Sequence, residues 1–272
     1  MTIPAPRPDR TCLVTGASSG IGVEIARQLA QRGHGVTVVA RSEDKLAGLA
    51  AELHTDYEVR AEYLAVDLSD AAARSGLPKA LAERGLGVDV LVNNAGFSTT
   101  GPVYQADPQA ELSMIRTNVE AVVHLCTLFL PAMVERRSGS VLNVASTVAF
   151  QPIAGQAGYA ASKSFVLAYT HGLRGELAGT GVTATALCPG PVRTGFAAAA
   201  GLDEQALDDT LPAFFWVSAA DVAKAGINAM DEDRAVVIPG VANRVTAGAG
   251  WLTPRSIVVP MMKKFHPVFK PK

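Results

Sequence analysis

The stretch Thr11-Cys12-Leu13-Val14-Thr15-Gly16-Ala17-Ser18-Ser19-Gly20-Ile21-Gly22 decides the fold. Its first five residues are apolar or β-branched, the pattern of a short buried strand. The chain then turns on glycines 16, 20 and 22, a G-x-x-x-G-x-G spacing, and runs into residues 21–31, which have a helical pattern. A strand that feeds a helix through such a loop makes a phosphate cradle. Glycine lets the backbone turn tightly and lets a pyrophosphate approach where a Cβ would stand in the way. The free N–H groups that open the helix then bind the phosphate oxygens. By themselves, three glycines so close together also describe a plain turn, and it is their place between strand and helix that favours the cradle.

Working outward, short β-rich runs recur at 36–40, 61–66, 88–92, 140–144, 182–187 and 235–238, so 11–15 is the first of seven predicted strands. Longer helical patterns fall between them at 45–53, 71–84, 108–135, 159–177 and 219–230. Asp107 ahead of Pro108 is a good helix start, a capping side chain followed by proline at the first helical position. Most of the strands are apolar nearly throughout, as parallel strands covered on both faces are. The alternation predicts an α/β fold: a Rossmann-type, doubly wound parallel sheet of about seven strands in three layers (α/β/α). Residues 1–9, with Pro4, Pro6 and Pro8, are expected to be a flexible segment, 10–250 one domain, and 251–272 a basic and apolar tail.

Composition sets outer limits. The 272 residues are 49% hydrophobic and 18% charged, which fits a large core and excludes a disordered chain. A net charge of −1 offers no positive field for nucleic acid. Cys12, Cys126 and Cys188 lie far apart with no C-x-x-C spacing, which argues against a disulfide framework or a zinc site and for buried thiols in a reducing compartment. The N-terminal residues lack an apolar targeting core, and no run of about 18 uncharged apolar residues occurs. The expectation is a cytoplasmic protein that uses no metal.

Three further places carry chemistry. The second strand ends in Ala40-Arg41, where an NAD site usually has a carboxylate for the ribose 2′-hydroxyl. Arg41 is a partner for a 2′-phosphate or else an ordinary loop charge. Ser146 follows the fifth strand. Tyr159 and Lys163 stand one helical turn apart, so phenol and ammonium reach one site. Tyrosine, with a pKa of about 10, is a poor acid–base group at neutral pH. A lysine cation beside it favours the phenolate, and a shift of about three units corresponds to roughly 4 kcal/mol. A surface Tyr-x-x-x-Lys pair on an amphipathic helix would look the same. Asn118 sits at the edge of the stripe Leu112, Ile115, Val119, Val122 and Cys126, where an amide is costly unless hydrogen-bonded. Bracing a neighbouring helix is its alternative use.

Taken in order, TGASSGIG at 15–22, NNAG at 93–96, Asn118, Ser146, Tyr159-x-x-x-Lys163 and Pro189-Gly190-Pro191-Val192-Arg193-Thr194 resemble the short-chain dehydrogenase/reductase family, over about residues 10 to 240. The resemblance implies that Ser146 orients the substrate, Tyr159 is the acid–base residue, Lys163 binds the nicotinamide ribose and depresses the tyrosine, and Asn118 holds a water of the proton relay. It implies a cofactor bed of Gly16, Ser18, Ser19, Gly20, Ile21 and Gly22 at the phosphates, Arg41 at the ribose, and Asp67 and Leu68 at the adenine. Asn94, Ala95 and Gly96 then line the adenosine side, and Pro189, Gly190, Val192 and Thr194 cover the carboxamide. Ala40-Arg41 looks like the family's NADP-preferring version, so NADP(H) is expected ahead of NAD(H). A homo-oligomer, dimer or tetramer, is implied as well.

The expected activity is interconversion of a carbonyl and a secondary alcohol on a small, lipophilic molecule. A 3-oxoacyl thioester and a bulky or steroidal ketone are alternative substrates. A catalytically silent nucleotide-binding regulator would be expected to have lost one of Asn118, Ser146, Tyr159 and Lys163. Residues 195–217 hold Phe196, Leu202, Leu211, Phe214, Phe215 and Trp216 among Asp203, Glu204, Asp208 and Asp209, a composition suited to a lid over an apolar substrate or to a subunit contact. The tail 251–272 has five basic and no acidic residues, interleaved with Trp251, Ile257, Val258, Met261 and others. It suits a packed strap, an anionic membrane or an acyl carrier, while Pro254, Pro260, Pro267 and Pro271 are expected to break any long helix.

Overall fold

The computed structural model describes residues 3–196, 200–201 and 212–265. Seven strands form one sheet: β1 (Arg10–Thr15), β2 (Val36–Ala40), β3 (Ala61–Ala65), β4 (Gly87–Asn93), β5 (Gly139–Val144), β6 (Val182–Leu187) and β7 (Val236–Val237). All neighbours are parallel and the order is β3-β2-β1-β4-β5-β6-β7, the doubly wound arrangement expected. The strands fall where the sequence pattern puts them, with β7 shorter than the run at 235–238.

The alternation of side chains along these strands serves two cores. Val14, Val38, Val90 and Val92 face α1 (Gly20–Gln31), α2 (Glu43–Tyr57) and α8 (Ala219–Asp231), against Ile25, Leu29, Leu46 and Ile227. Leu13, Val39, Leu91 and Val141 face the other way, against Leu125, Phe129 and Met133 of α6 (Ala121–Glu135) and Leu173 of α7 (Ala157–Glu176). Cys12, Cys126 and Cys188 are free and buried. Among the described residues, the stretch Pro108–Glu135 is long and apolar enough to cross a membrane by length and composition, but α6 buries its apolar side chains against β4 and β5 as a core helix.

The helices differ from the sequence reading in three places. The pattern at 71–84 is two short helices, α3 (Ala71–Ser75) and α4 (Leu77–Ala82), because Pro78 has no N–H with which to continue the ladder. The pattern at 108–135 is α5 (Pro108–Ile115) and α6 joined by a wider, π-type turn, Arg116–Glu120. The C-terminal part holds α9 (Val241–Leu252) and α10 (Arg255–Phe265), which the prolines do not abolish. Pro254 precedes the first turn of α10, where no intrahelical N–H is needed. Pro260 lies inside α10, but it and Ser256, whose carbonyl it leaves unpaired, are both exposed, so water can take the bond.

Leu91 lies fully buried in the central strand β4. Leu91→Ala is expected to lower the unfolding free energy by about 2–5 kcal/mol, read as a fall in the urea midpoint at unchanged slope.

Candidate active site

The sheet order reverses between β1 and β4, and the crevice beyond their C-terminal ends is where an open α/β sheet binds ligands. Two side chains fix its edges. Thr15 Oγ1 accepts from the N–H groups of Asn94 (3.0 Å) and Ala95 (3.1 Å) and donates to the Val92 carbonyl (3.1 Å). The Asn94 amide donates to the carbonyls of Thr15 (2.9 Å) and Gly16 (3.2 Å). The glycine loop is thereby tied to the NNAG segment.

Gly20 needs its freedom twice over. Its φ is +61°, and a Cβ there would stand 2.8 Å from Thr194 Cβ. At Gly22 a Cβ would stand 2.5 Å from the Gly16 carbonyl oxygen, so this glycine lets α1 come close behind the loop and does not face the cleft. The N-cap of α1, Ser19, makes no side-chain capping bond and the first turn holds no acidic residue, so the helix start presents N–H groups to an anion.

The resulting cleft has a volume of about 520 Å³. It is lined by Gly16, Ser18, Ser19, Gly20, Ile21, Arg41, Asp67, Leu68, Asn94, Ala95, Gly96, Ser146, Tyr159, Lys163, Pro189, Gly190, Val192 and Thr194. Of the sequence-predicted residues only Gly22 and Asn118 lie behind its wall. Arg41 is exposed at the end of β2, with no carboxylate in the Ala40-Arg41-Ser42 turn. Asp67 accepts from the N–H of Ser69 (2.9 Å), and that bond, with a smaller one from the Ser69 hydroxyl and, least, the charge of Arg41, holds its carboxyl below the ordinary range against the opposing effect of burial.

At the other end, α7 presents Tyr159 and Lys163 to the cleft, both buried. The Lys163 ammonium donates to the Val144 carbonyl (2.8 Å) and stands 5.9 Å from the centre of the Tyr159 ring. Burial pushes Tyr159 up to about 12, and a hydrogen bond with Ser146 offsets part of that rise. Lys163 is itself pushed down to about 8 by burial. Desolvation disfavours the charged form of each group, and the hydrogen bond of the ammonium goes to a carbonyl.

Asn118 lies in the turn Arg116–Glu120 and is buried. Its Oδ1 accepts from the Phe97 N–H (3.1 Å), and its Nδ2 donates to the Phe97 carbonyl (2.9 Å) and to Ser162 Oγ (3.1 Å). Ser162 Oγ in turn donates to the Tyr159 carbonyl (2.7 Å). The amide therefore braces the NNAG loop against α7.

Several residues of the site escape sequence reasoning. Gln156, one turn before Tyr159, lines the cleft and donates to Ser98 Oγ (2.8 Å). Its spacing from Tyr159 was the available signal. Arg74, fully buried, donates to the Leu68 carbonyl (2.5 Å) and to His124 Nδ1 (3.1 Å) and pairs with Glu120. It joins the Asp67-Leu68 loop to the turn that carries Asn118. Nothing in an alanine-rich segment marks such a residue.

The proposed lid is only partly described. Phe196 packs on Tyr159 with ring centres 5.7 Å apart, and Trp216 lines the cleft beneath the Arg193 guanidinium, 4.6 Å from its ring centre. Phe214 is exposed, while Phe215 and Trp216 are half-buried. Phe214 leans on Phe215 but is 67% exposed, because the 3₁₀ turn Ala213–Phe215 points it outward. Leu202, Leu211 and the four acidic residues lie outside the described residues.

Comparison with known proteins agrees with this geometry. Residues 10–205 match the short chain dehydrogenase family, and the chain belongs to it. It is 40% identical over 196 residues to a putative ketoacyl reductase of Streptomyces coelicolor, covering 71% of this chain and 75% of that protein. A short-chain dehydrogenase from Sphingobium yanoikuyae, solved in complex with NADPH, is 33% identical with a TM-score of 0.78, covering 89% of this chain and 92% of that one. A bulky-bulky ketone specific alcohol dehydrogenase from Comamonas testosteroni is 26% identical with a TM-score of 0.74, covering 94% and 98%. The protein is accordingly an oxidoreductase.

The depressed Lys163 sets a pH signature. Between about pH 8 and the ordinary lysine value of 10.5, the unfolded chain holds a proton at Lys163 that the folded chain has lost, so the contribution of this group to stability rises with pH in that window and is flat below it. The buried thiols of Cys12, Cys126 and Cys188, all raised from 9.0, act in the opposite sense above pH 9, and the raised Tyr159 does so above pH 10, so a comparison with a lysine variant isolates the lysine. Relative to Lys163→Met, the unmutated protein is expected to gain on the order of 3 kcal/mol as pH rises through the window. Urea unfolding of both proteins at several pH values reads this directly.

Proposed function

We propose that this chain is an NADP(H)-dependent oxidoreductase that interconverts a ketone and a secondary alcohol on a lipophilic substrate, with Tyr159 as the proton donor or acceptor. The observation that carries the reading is one continuous cleft. It has Arg41 and the open start of α1 at one end and Ser146, Tyr159 and Lys163 at the other. Its residues fit a dinucleotide: the glycine loop leaves room for the pyrophosphate, and the Ala40-Arg41 turn offers a cation and no repelling carboxylate to a 2′-phosphate. The cofactor supplies the hydride equivalent at the carbonyl carbon.

The chain's own residues then manage the oxygen. Ser146 donates to the carbonyl oxygen and holds it beside Tyr159. The phenol, at about 12, keeps its proton at neutral pH and gives it up as the oxygen gains negative charge, which suits the reductive direction. Lys163 offers its ammonium to the ribose side of the cleft and, once a ligand adds hydrogen bonds to it, stays charged to stabilise the phenolate left behind. Asn118, through Phe97 and Ser162, fixes the two segments that carry these groups.

Phe196 and Trp216 make the substrate end apolar, which favours a lipophilic ketone. A 3-oxoacyl thioester is the second reading, favoured by the 40% identity to the putative ketoacyl reductase. A homo-oligomer belongs to the same proposal, and the exposed Leu112 of α5 and Phe165 of α7 offer apolar surface for it.

A panel of ketones and 3-oxoacyl thioesters, followed by nicotinamide absorbance with NADPH and NADH, tests the reading; no turnover of any of them would sink it. Arg41→Asp is expected to raise KM for NADPH at least tenfold, about 1.4 kcal/mol, and to leave NADH little changed. Equal efficiency with both cofactors in the unmutated enzyme would remove Arg41 from its role. Tyr159→Phe should bind NADPH normally, by fluorescence titration, and turn over roughly 10²-fold more slowly. Phe196→Ala should raise KM more for bulky ketones than for small ones, by the ~1–3 kcal/mol of a lost apolar contact.

A further inference from the structure

We propose that α9 and α10 form a docking surface for an anionic lipid bilayer. α9 buries Asn243, Ala247 and Gly250, at the i, i+4, i+7 spacing of one helical face. On its outer side Val241, Val245, Trp251 and Leu252 are 65–78% exposed. α10 buries Val258, while Ile257 and Met261, one turn apart, are exposed. Single apolar residues on a surface need no explanation, but a cluster on two successive helices marks a surface meant to leave water.

Charge names the partner. The last acidic residue of the chain is Asp233. Residues 234–272 carry Arg234, Arg244, Arg255, Lys263, Lys264, Lys270 and Lys272, so this segment is +7 and the remainder is −8. A near-neutral protein thus hides a strongly segregated one. Basic side chains beside an apolar, tryptophan-bearing helix face match the headgroup and acyl layers of an anionic membrane. A second copy would bring Arg244, Arg255, Lys263 and Lys264 of α9 and α10 against the same four, and that repulsion argues against self-association through this face. An acidic carrier protein would meet the charge but leave Trp251 and Leu252 without an apolar partner.

The surface adjoins the cleft. Asn243 donates to the Phe215 carbonyl (3.0 Å), beside Trp216, and Arg255 donates to the Phe150 carbonyl (3.1 Å), at the end of the turn that follows Ser146. A docked enzyme would therefore hold the substrate end of its cleft near the lipid in which a lipophilic ketone is dissolved. Binding itself does not depend on the activity proposed above.

Cosedimentation of the full chain with vesicles of phosphatidylcholine alone, or mixed with phosphatidylserine, tests the proposal. Partition onto the mixed vesicles should be at least about tenfold greater and should fall as salt is raised. The double variant Arg244→Glu/Lys264→Glu should lose that preference. Leu252→Ser, which leaves the charge alone, should weaken partition several-fold. Tryptophan emission should shift to the blue on mixed vesicles, and Trp251→Phe should abolish the shift. These side chains are exposed, so circular dichroism and turnover of a water-soluble ketone should match the unmutated protein. No partition onto anionic vesicles at low salt overturns the proposal, as does undiminished partition of the charge-reversed variant. Self-association in the ultracentrifuge that Leu252→Ser abolishes, or binding to an acidic acyl-carrier protein without binding to vesicles, assigns the face to another partner and overturns it equally.

Discussion

Where β1 and β4 end, the helices that follow depart to opposite faces of the sheet, and the backbone groups at the split lose the neighbours that strands normally supply. Thr15 and Asn94 supply them instead, one hydroxyl and one amide making five hydrogen bonds across the gap. The crevice keeps its shape because these bonds are fully used within the protein. Everything further along is referenced to them. Asn94 sets the path to Gly96, where a Cβ would stand 3.0 Å from Asn118 Oδ1 and 3.3 Å from Lys163 Nζ. The next residue, Phe97, is held at both backbone groups by Asn118, which reaches α7 through Ser162. A line of polar contacts thus runs from the first strand to the tyrosine, through a region that is otherwise apolar.

The same burial that makes this line rigid sets the chemistry at its end. Tyr159 and Lys163 are both placed where charge is costly, and each is displaced toward its neutral form. Near neutral pH the phenol is therefore uncharged, while Lys163, at about 8, is still mostly cationic and is the charge that the buried site holds. The tie from Arg74 to Leu68 and Glu120 gives the adenine end of the cleft a physical link to the turn that carries Asn118, so the two ends are parts of one framework.

Much of this was legible because it depends on local pattern. Buried parallel strands have apolar residues on both faces, and Val36–Ala40 or Val182–Leu187 are recognisable for that reason alone. The glycine loop and the Tyr159–Lys163 pair are legible because backbone clearance and helical spacing mark them, whereas the role of Ser146 is legible only through the resemblance to the family. What stayed hidden depends on contacts far apart in sequence. Asn118 looks like the edge of an apolar stripe, and only the folded chain brings Phe97 and Ser162 to its amide. Arg74 is one cation among alanines until His124 and Glu120 come to it from α6 and the turn before it. Phe214 and Phe215 are alike in sequence, and the direction of one short turn separates them. In α10 the prolines suggest a break, but solvent exposure takes away most of their cost.

The turn Arg116–Glu120 has one more consequence, for how sequences of this fold can change in length. A π-type turn holds an extra residue that a continuous α-helix from Pro108 to Glu135 would not need. Losing a residue there would let the backbone bonds close regularly. The wider turn absorbs that residue, so α5 and α6 keep the faces they would have in one continuous α-helix, and Leu125, Phe129 and Met133 stay on the sheet either way. What the extra residue changes is local, the bulged backbone on which Asn118 sits. A relative one residue shorter between Met114 and Leu125 can therefore keep both in the core, and a one-residue gap in an alignment belongs inside Arg116–Glu120.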